Sequence, residues 1–355
     1  MITNNITACQ KRRFGMNPEE ETRLIGLNGR PVFGIRKSTV LSFNLSDLRI
    51  YGKNKTDGIL KRFITWFRIK RWQYLGVCND KIIFGAAIVN LGYMTNMFCY
   101  IFDRKAGKIV QFDAITPSGK AGLFEGSFQN GSAIFKNGKA SLSFINRPES
   151  VLAKISVKGK LDAELHFLKL TEPLCCTSRV GLDGFNYTHK EAGIPVTGNV
   201  TFRGSGYEIA ENESSGVIDY TLGYLARHTF WNWASGGGFD EAGNRVGFNL
   251  VQGVNETGFT ENAFWINGNM IKTDVIDFQY SDLNLLDKWR IVSNDGKINL
   301  SFYPEGERSA DINTGLIASR FHQPFGRFEG ILSDGGKTWK INNAAGFTEE
   351  HYAKW

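Results

Sequence analysis

Tight-turn dipeptides set between short alternating segments constrain this chain more than any other feature. Asn137-Gly138 in "FKNGKA" separates "SAIF" from "SLSFI", Asp295-Gly296 in "SNDGKINLSFY" precedes an alternating run, and Asp334-Gly335 in "SDGGKTWKI" does the same. Such pairs supply the positive φ angles that two-residue hairpins require. The flanking period of two turns one face of each strand towards a core. Residues 153–170, "AKISVKGKLDAELHFLKL", hold two further alternating stretches. Outside one short candidate helix in "NPEEETRLIGLNGRPVFG" (17–34), no sustained helical periodicity competes with this pattern. The expected fold is therefore all-β and mainly antiparallel, with few short helices. Composition agrees: 40 glycines, 27 phenylalanines and only 8 prolines suit a sheet protein with many turns. Hydrophobic residues at 42% and charged residues at 22% exclude a disordered or fibrous chain.

An internal echo organises the chain further. Trp72 to Asp103 reads "WQY…FGAAIVN…CYIFD", and Trp231 to Asn267 reads "WNW…VGFNLVQ…AFWIN". Trp72 to Gly85 spans 13 residues and Trp233 to Gly247 spans 14; Gly85 to Tyr100 spans 15 and Gly247 to Phe264 spans 17. Two diverged copies of one β module would produce this, as would a chance likeness between aromatic strands. With the joint placed in "KLTEPLCCTSRVG" (169–181), the expectation is a leader over 1–30, a first module over 31–175 and a second over 176–355, each a barrel or sandwich.

Several function classes are disfavoured. No run of 18 apolar residues suggests a membrane span, and the first residues lack the apolar core of a secretory signal, so cytoplasmic residence is expected. The five cysteines, Cys9, Cys78, Cys99, Cys175 and Cys176, form no CxxC pair, which argues against a zinc site or a disulfide framework. Adjacent Cys175 and Cys176 read as small buried residues, with redox sensitivity the alternative. The net charge of +7 is densest in "KRFITWFRIKRWQY" (61–74), a pattern that suits nucleic acid. A half-exposed strand explains it equally, with Trp66, Arg68, Lys70, Trp72 and Tyr74 on one face and Phe67 and Ile69 on the other. Acidic residues recur elsewhere, so no nucleic-acid partner is expected. Dinucleotide, phosphate-loop, nucleophile-elbow and HExxH motifs are missing, and the five histidines, His166, His189, His228, His322 and His351, are widely separated. No metal and no cofactor are expected.

The segment "TFWNWASGGG" (229–238) is the first site candidate. On a strand Thr229, Trp231 and Trp233 share one face, with Phe230 and Asn232 opposite. Two indoles beside bare glycines describe an apolar pocket with two N–H donors, or a filled barrel core with a glycine turn. Asp219 and Arg227 lie upstream and could form a bidentate pair, while His228 is the most plausible proton-transfer group near the two tryptophans. The motif "GFTE" occurs at 258–261 and again at 346–349, bringing in Glu261, Glu349, Glu350, His351 and Tyr352. The candidate catalytic groups are Asp219, His228, Glu261, Glu349 and His351. The candidate ligand contacts are Arg227, Trp231, Asn232, Trp233, Asn262, Trp265, Gln323, Phe325 and Tyr352.

Long motifs carry a resemblance. "FNYTHKEAGIPVTGNV" (185–200), "IDYTLGYLARHTFWNWASGGG" (218–238), "RVGFNLVQG" (245–253), "TENAFWING" (260–268), "SRFHQPFGRFEG" (319–330) and "GFTEEHYAKW" (346–355) join "RIKRWQYLGV" and "AIVNLGYMTNMFCYIFDR". Together they resemble the family called domain of unknown function 2804, from about residue 15 to the last residue. That family carries no activity to transfer. A more distant similarity, resting on the tandem β organisation and "IDYTLGY" (218–224), is to two-module lipocalin-like proteins such as carotenoid hydratases and cofactor-free cyclases. It implies tandem lipocalin-like barrels or sandwiches and three readings. The first is a module binding a hydrophobic or amphipathic small molecule. The second is a cofactor-free isomerase, cyclase or hydratase using Asp219 or Glu349. The third is a protein acting through its surfaces alone. Oligomeric state is not legible.

Overall fold

In a computed structural model, which describes residues 22–36, 38–49, 63, 67–117, 119–182, 184–254 and 258–355, the three turn dipeptides do close hairpins. Asn137-Gly138 joins Gly131–Lys136 to Ala140–Asn146, Asp295-Gly296 joins Trp289–Ser293 to Ile298–Asn313, and Asp334-Gly335 joins Ala318–Ser333 to Thr338–Lys354. Gly296 and Gly335 take φ of 73° and 97°, the left-handed region such turns need. The two stretches of 153–170 become the paired strands Ser150–Val157 and Leu161–Leu168. Strand accounts for 66% and helix for 3%, and every strand pair is antiparallel. No helix among the described residues is long and apolar enough to cross a membrane.

Three sheets build two lipocalin-like modules. An eight-stranded sheet runs in spatial order Gly34–Arg36, Leu174–Val180, Gly184–Ile194, Ser215–Tyr224, Ile69–Cys78, Ile82–Asn90, Met94–Asp103 and Lys108–Pro117. A seven-stranded sheet from Ser205–Ile209 to Gly122–Gly126 covers one face of it. Phe84, Ile88 and Met97 of the larger sheet meet Phe135, Phe144 and Leu165 of the smaller in one apolar core. The second module is a nine-stranded curved sheet from Asn269–Lys272 to Ile276–Gln279, with Phe248, Leu250, Trp289, Phe302 and Phe328 inside. The Phe278 N–H donates to Gln252 Oε1 at 3.1 Å, drawing distant parts of that sheet together.

The sequence expectation put the joint at 175/176, but the sheets change partners between Tyr224 and His228. The hairpin of Leu174–Val180 with Gly184–Ile194, and the strand Ser215–Tyr224, all pair within the first module, the last of them directly on Ile69–Cys78. The expected leader also shrinks, because Leu24 and Ile25 are fully buried in the first core. Residues 1–21 of it lie outside the described residues, as does Trp66.

Alternation gives each module a second apolar face. On Ser215–Tyr224, Ile218, Tyr220 and Leu222 enter the first core, while Val217 joins a third cluster with Tyr74, Tyr100, Trp233, Trp265, Phe325 and Phe347. That cluster draws on both modules and is their interface. Backbones meet there as well: a Cβ on Gly247 would sit 2.1 Å from the nitrogen of Gly193, itself a bulge residue at φ 73°.

Candidate functional site

Register brings the first module's polar groups to this interface. Lys190, Asp219, Tyr74, Ala87 and Phe98 stand side by side across five strands and share one face. Lys190 Nζ lies 2.6 Å from Asp219 Oδ1 and 3.4 Å from Glu261 Oε2, with the Trp233 ring centre 5.2 Å away. Burial opposes the ammonium, but Asp219 and Glu261 outweigh it and raise its pKa. Asp219 accepts further hydrogen bonds from Trp72 Nε1 at 3.3 Å and Thr221 Oγ1 at 3.2 Å. The Tyr74 and Tyr100 hydroxyls bond to each other at 2.8 Å, and burial pushes both pKa values up, so they stay protonated.

The second module answers with Trp231, Trp233, Glu349, His351, Ser319, Phe321, Gln323 and Arg308 on its facing side, ordered by strand pairing. Glu349 is a hub. Its Oε1 accepts from Trp231 Nε1 at 3.0 Å and lies 3.1 Å from His351 Nδ1, while Oε2 accepts from Gln323 Nε2 at 3.0 Å. His351 Nε2 is 3.0 Å from Ser319 Oγ, and the Trp231 ring lies 4.1 Å from the imidazole centre to centre. The result is a hydroxyl–imidazole–carboxylate chain on a partly open face, which can orient a proton carrier. Trp72, Phe98, Trp231, Phe321 and Trp355 are half-buried, whereas Tyr74, Tyr100, Trp233, Gln323 and Arg308 beneath them are buried. Trp72 and Trp355 stack at 6.4 Å. The edge of the interface is thus lined by half-buried aromatic rings.

The sequence candidates divide. Asp219, Glu261, Trp231, Gln323, Glu349 and His351 all carry side chains at this interface. Trp233 and Phe325 belong to its packed part: Trp233 stands edge-on to Tyr74 at 5.6 Å and donates to Asn249 Oδ1, and Phe325 lies 4.9 Å from Tyr100. Trp265 pins the modules through a 2.7 Å bond to the Glu172 carbonyl. Asn262 is consumed by backbone, accepting from Val251 N–H at 2.6 Å and donating to the Asp274 carbonyl at 3.0 Å. Asn232 turns to the other face and donates to Tyr280 Oη. His228 and Tyr352 bond each other at 2.7 Å, and their strand parity sets them opposite to Trp231 and His351. Arg227 donates to the Leu316 carbonyl, so the expected Asp219–Arg227 pair does not form; Asp219 takes Lys190 instead.

Lys190, Trp72, Tyr100, Arg308 and Ser319 were not among the site residues expected from sequence. Lys190 had a signal in "FNYTHKEAGI", a charge embedded in an otherwise uncharged or apolar strand face; Arg308 had none. Lys61 and Arg62 of the basic stretch 61–74 lie outside the described residues, and the rest of its charge is partly spent inside the fold. Lys70 donates to the Phe67 and Leu91 carbonyls at 2.8 Å, with burial bringing its pKa down to about 7, and Arg68 lies over Tyr224. Cys175 and Cys176 are both fully buried and point to opposite faces, Cys175 towards His189.

Known proteins place this architecture. The chain matches the family described as a domain of unknown function (DUF2804) over residues 16–355. No curated protein sequence matches it. Among solved structures, CghA with Sch210972 is similar at TM-score 0.56 and 8% identity, covering 81% of this chain and 88% of that one. Kievitone hydratase from Nectria haematococca is similar at TM-score 0.52 and 10% identity, covering 80% and 88%. At such identities the likeness establishes the two-module fold alone.

Proposed function

The chain belongs to the DUF2804 family, and from that premise we propose that it binds a hydrophobic or amphipathic small molecule in the cleft between its two modules. The observation that carries this reading is a mismatch at the interface. Half-buried aromatic rings face one another, and between them the buried Gln323 Oε1 and Arg308 Nε have no hydrogen-bond partner. Small-molecule sites combine apolar walls with a few placed polar groups of this kind. A solved neighbour that carries a small molecule, and another named as a hydratase, support the reading. Native mass spectrometry of protein from its own host, followed by organic extraction, tests it. A bound mass is expected, lost when Trp72 and Trp231 are changed to alanine without loss of fold. Protein that is empty and also fails to bind hydrophobic probes would leave the interface as packing alone.

A second reading, a cofactor-free isomerase, cyclase or hydratase, is favoured by the Ser319–His351–Glu349 chain. Its measurement is conversion of the extracted molecule to an isomer or hydrated product, abolished in Glu349→Gln.

A further inference from the structure

Arg308 lies on the strand Ile298–Asn313, directly across from Gln323 in register. Its side chain enters the interface among three rings, with the guanidinium carbon 4.2 Å from the centre of Phe98, 4.9 Å from Tyr100 and 4.7 Å from Phe321. The residue is 7% exposed, yet none of its N–H groups finds an acceptor and no carboxylate pairs with it among the described residues. Asp113, across from Phe98, is the acid whose pKa Arg308 pulls on. Burial holds that pKa up, Arg308 draws it down, and the two form no ion pair.

A guanidinium cannot shed its proton in a protein, so burial without an acceptor is not relieved by titration. Stacking on rings offsets part of the lost hydration, but leaves the planar fork of donors unused. Gln323 beside it has the converse deficit. Its Nε2 is committed to Glu349, and a flipped amide would set its oxygen against that carboxylate, so Oε1 is an acceptor awaiting a donor. Asn96 Oδ1, on the facing strand of the first module, is a third unpartnered atom. A carboxylate is the group that matches a guanidinium fork in two parallel bonds. A phosphate carries a second charge that Lys190, the other buried cation at this interface among the described residues, does not meet, because it is held by Asp219 and Glu261.

We propose that the cleft selects an amphipathic carboxylate, with the acid seated on Arg308, a hydroxyl or amide N–H of the same molecule donating to Gln323 Oε1, and the apolar body lying against Phe98, Phe321 and Trp231. This rests on the reading of the cleft as a small-molecule site and adds the charge and polarity of its occupant.

The test compares two fluorescent probes with one skeleton, anilinonaphthalenesulfonate and neutral phenylnaphthylamine, which differ by a single anionic group. Wild-type protein is expected to bind the anion about tenfold or more tightly than the neutral probe, the scale of one charge-assisted contact. Arg308→Met brings the two within about twofold, chiefly by weakening the anion, and it raises the thermal midpoint because a buried charge leaves. Arg308→Lys keeps charge without the fork and retains a reduced preference, which decides the matter should the methionine variant fail to fold. Equal affinities in wild type, or an anion preference that survives in both variants, overturn the carboxylate proposal and leave the binding cleft standing. Binding of neither probe overturns both.

Discussion

Strand register aligns Trp72, Gly76, Gly85 and Tyr100 of the first module with Trp233, Gly237, Gly247 and Trp265 of the second. Gly76 pairs with Gly85 and Gly85 with Tyr100; Gly237 pairs with Gly247 and Gly247 with Trp265. Trp72 stands opposite Val89, and Trp233 opposite Val251. The matched rungs are put to different uses. Over Gly85 the Tyr100 ring folds back, so that a Cβ there would meet its Cζ at 2.5 Å, and the Tyr74–Tyr100 hydroxyl pair lines the interface. Over Gly247 the nearest atoms are instead backbone, those of Ala192 and Gly193 of the other module. One rung carries a pair of rings to the interface; its counterpart brings two backbones together there. A glycine pair on a strand therefore marks a close approach without saying what approaches.

Gly247→Ala gives the sharpest break. Its Cβ would stand 2.1 Å from the Gly193 nitrogen and 2.2 Å from the Ala192 carbonyl carbon, backbone atoms that no rotamer change can move. A loss of about 4 kcal/mol or more is expected, seen as a fall in the urea midpoint or failure to accumulate folded protein. Gly85→Ala displaces only the Tyr100 ring and should cost about 1–3 kcal/mol. Equal losses would mean that the two rungs do not divide the labour in this way.

The same contrast returns in two histidine–carboxylate pairs, each two residues apart on one strand. His189 Nε2 lies 2.7 Å from Glu191 Oε1, and His189 Nδ1 lies 3.3 Å from the Cys175 sulfur, all within the first core. Thr171 donates to the other Glu191 oxygen, and the Phe128 ring covers the imidazole at 4.1 Å. Glu349 and His351 form the partly exposed counterpart at the interface. Glu191→Gln removes a sealed charge from beside His189 and is expected to cost about 3 kcal/mol, read by calorimetry.

What sequence could and could not convey follows from these same residues. The hairpins were legible because Asn137-Gly138, Asp295-Gly296 and Asp334-Gly335 act locally. The paired modules were legible because tryptophan and glycine recur at matching intervals, although the echo set Phe264 against Tyr100 where register sets Trp265. Trp231, Glu349 and His351 were legible as a group because strand parity alone puts them on one face once Thr338–Lys354 lies beside His228–Phe239. Asn262 and Trp265 misled because their partners, the Asp274 and Glu172 carbonyls, are backbone atoms that no motif announces. Arg308 was invisible for the opposite reason. "PEGERSADIN" reads as a solvated strand, and only docking against Phe98 and Tyr100 of the other module buries its charge.

The sealed pair also makes stability depend on pH. Burial works against the His189 imidazolium, but the Cys175 sulfur and the Glu191 carboxylate prevail and lift its pKa from 6.5 to about 9. A group whose pKa is raised on folding favours the folded state while protonated. Its contribution is complete below the unfolded value of 6.5 and is lost as pH rises through about 9. The fall should be on the order of 3 kcal/mol across that window, followed by urea unfolding at closely spaced pH values. In Glu191→Gln the slope should flatten, and a wild-type curve that is level across this range would deny His189 its charged partner.

The smallest effect on stability belongs to the open pair. Glu349→Gln keeps the shape, and the amide can still accept from Trp231 Nε1 or face Gln323, with solvent close enough to repair what is lost. A cost of about 1 kcal/mol or less is expected, well below that of Glu191→Gln, because a partly hydrated carboxylate loses little when neutralised. The substitution should instead be felt by the imidazole, since His351 loses the charge that orients its Nδ1 side and holds Nε2 against Ser319. Nuclear magnetic resonance of the His351 ring nitrogens reads this directly. Their chemical shifts should move in Glu349→Gln, as the hydrogen bonds that orient the ring change, while the thermal midpoint barely moves. If the midpoint drops as far as in Glu191→Gln, the cleft pair is a structural brace like its sealed twin, and the proton-carrying role in the second reading goes with it.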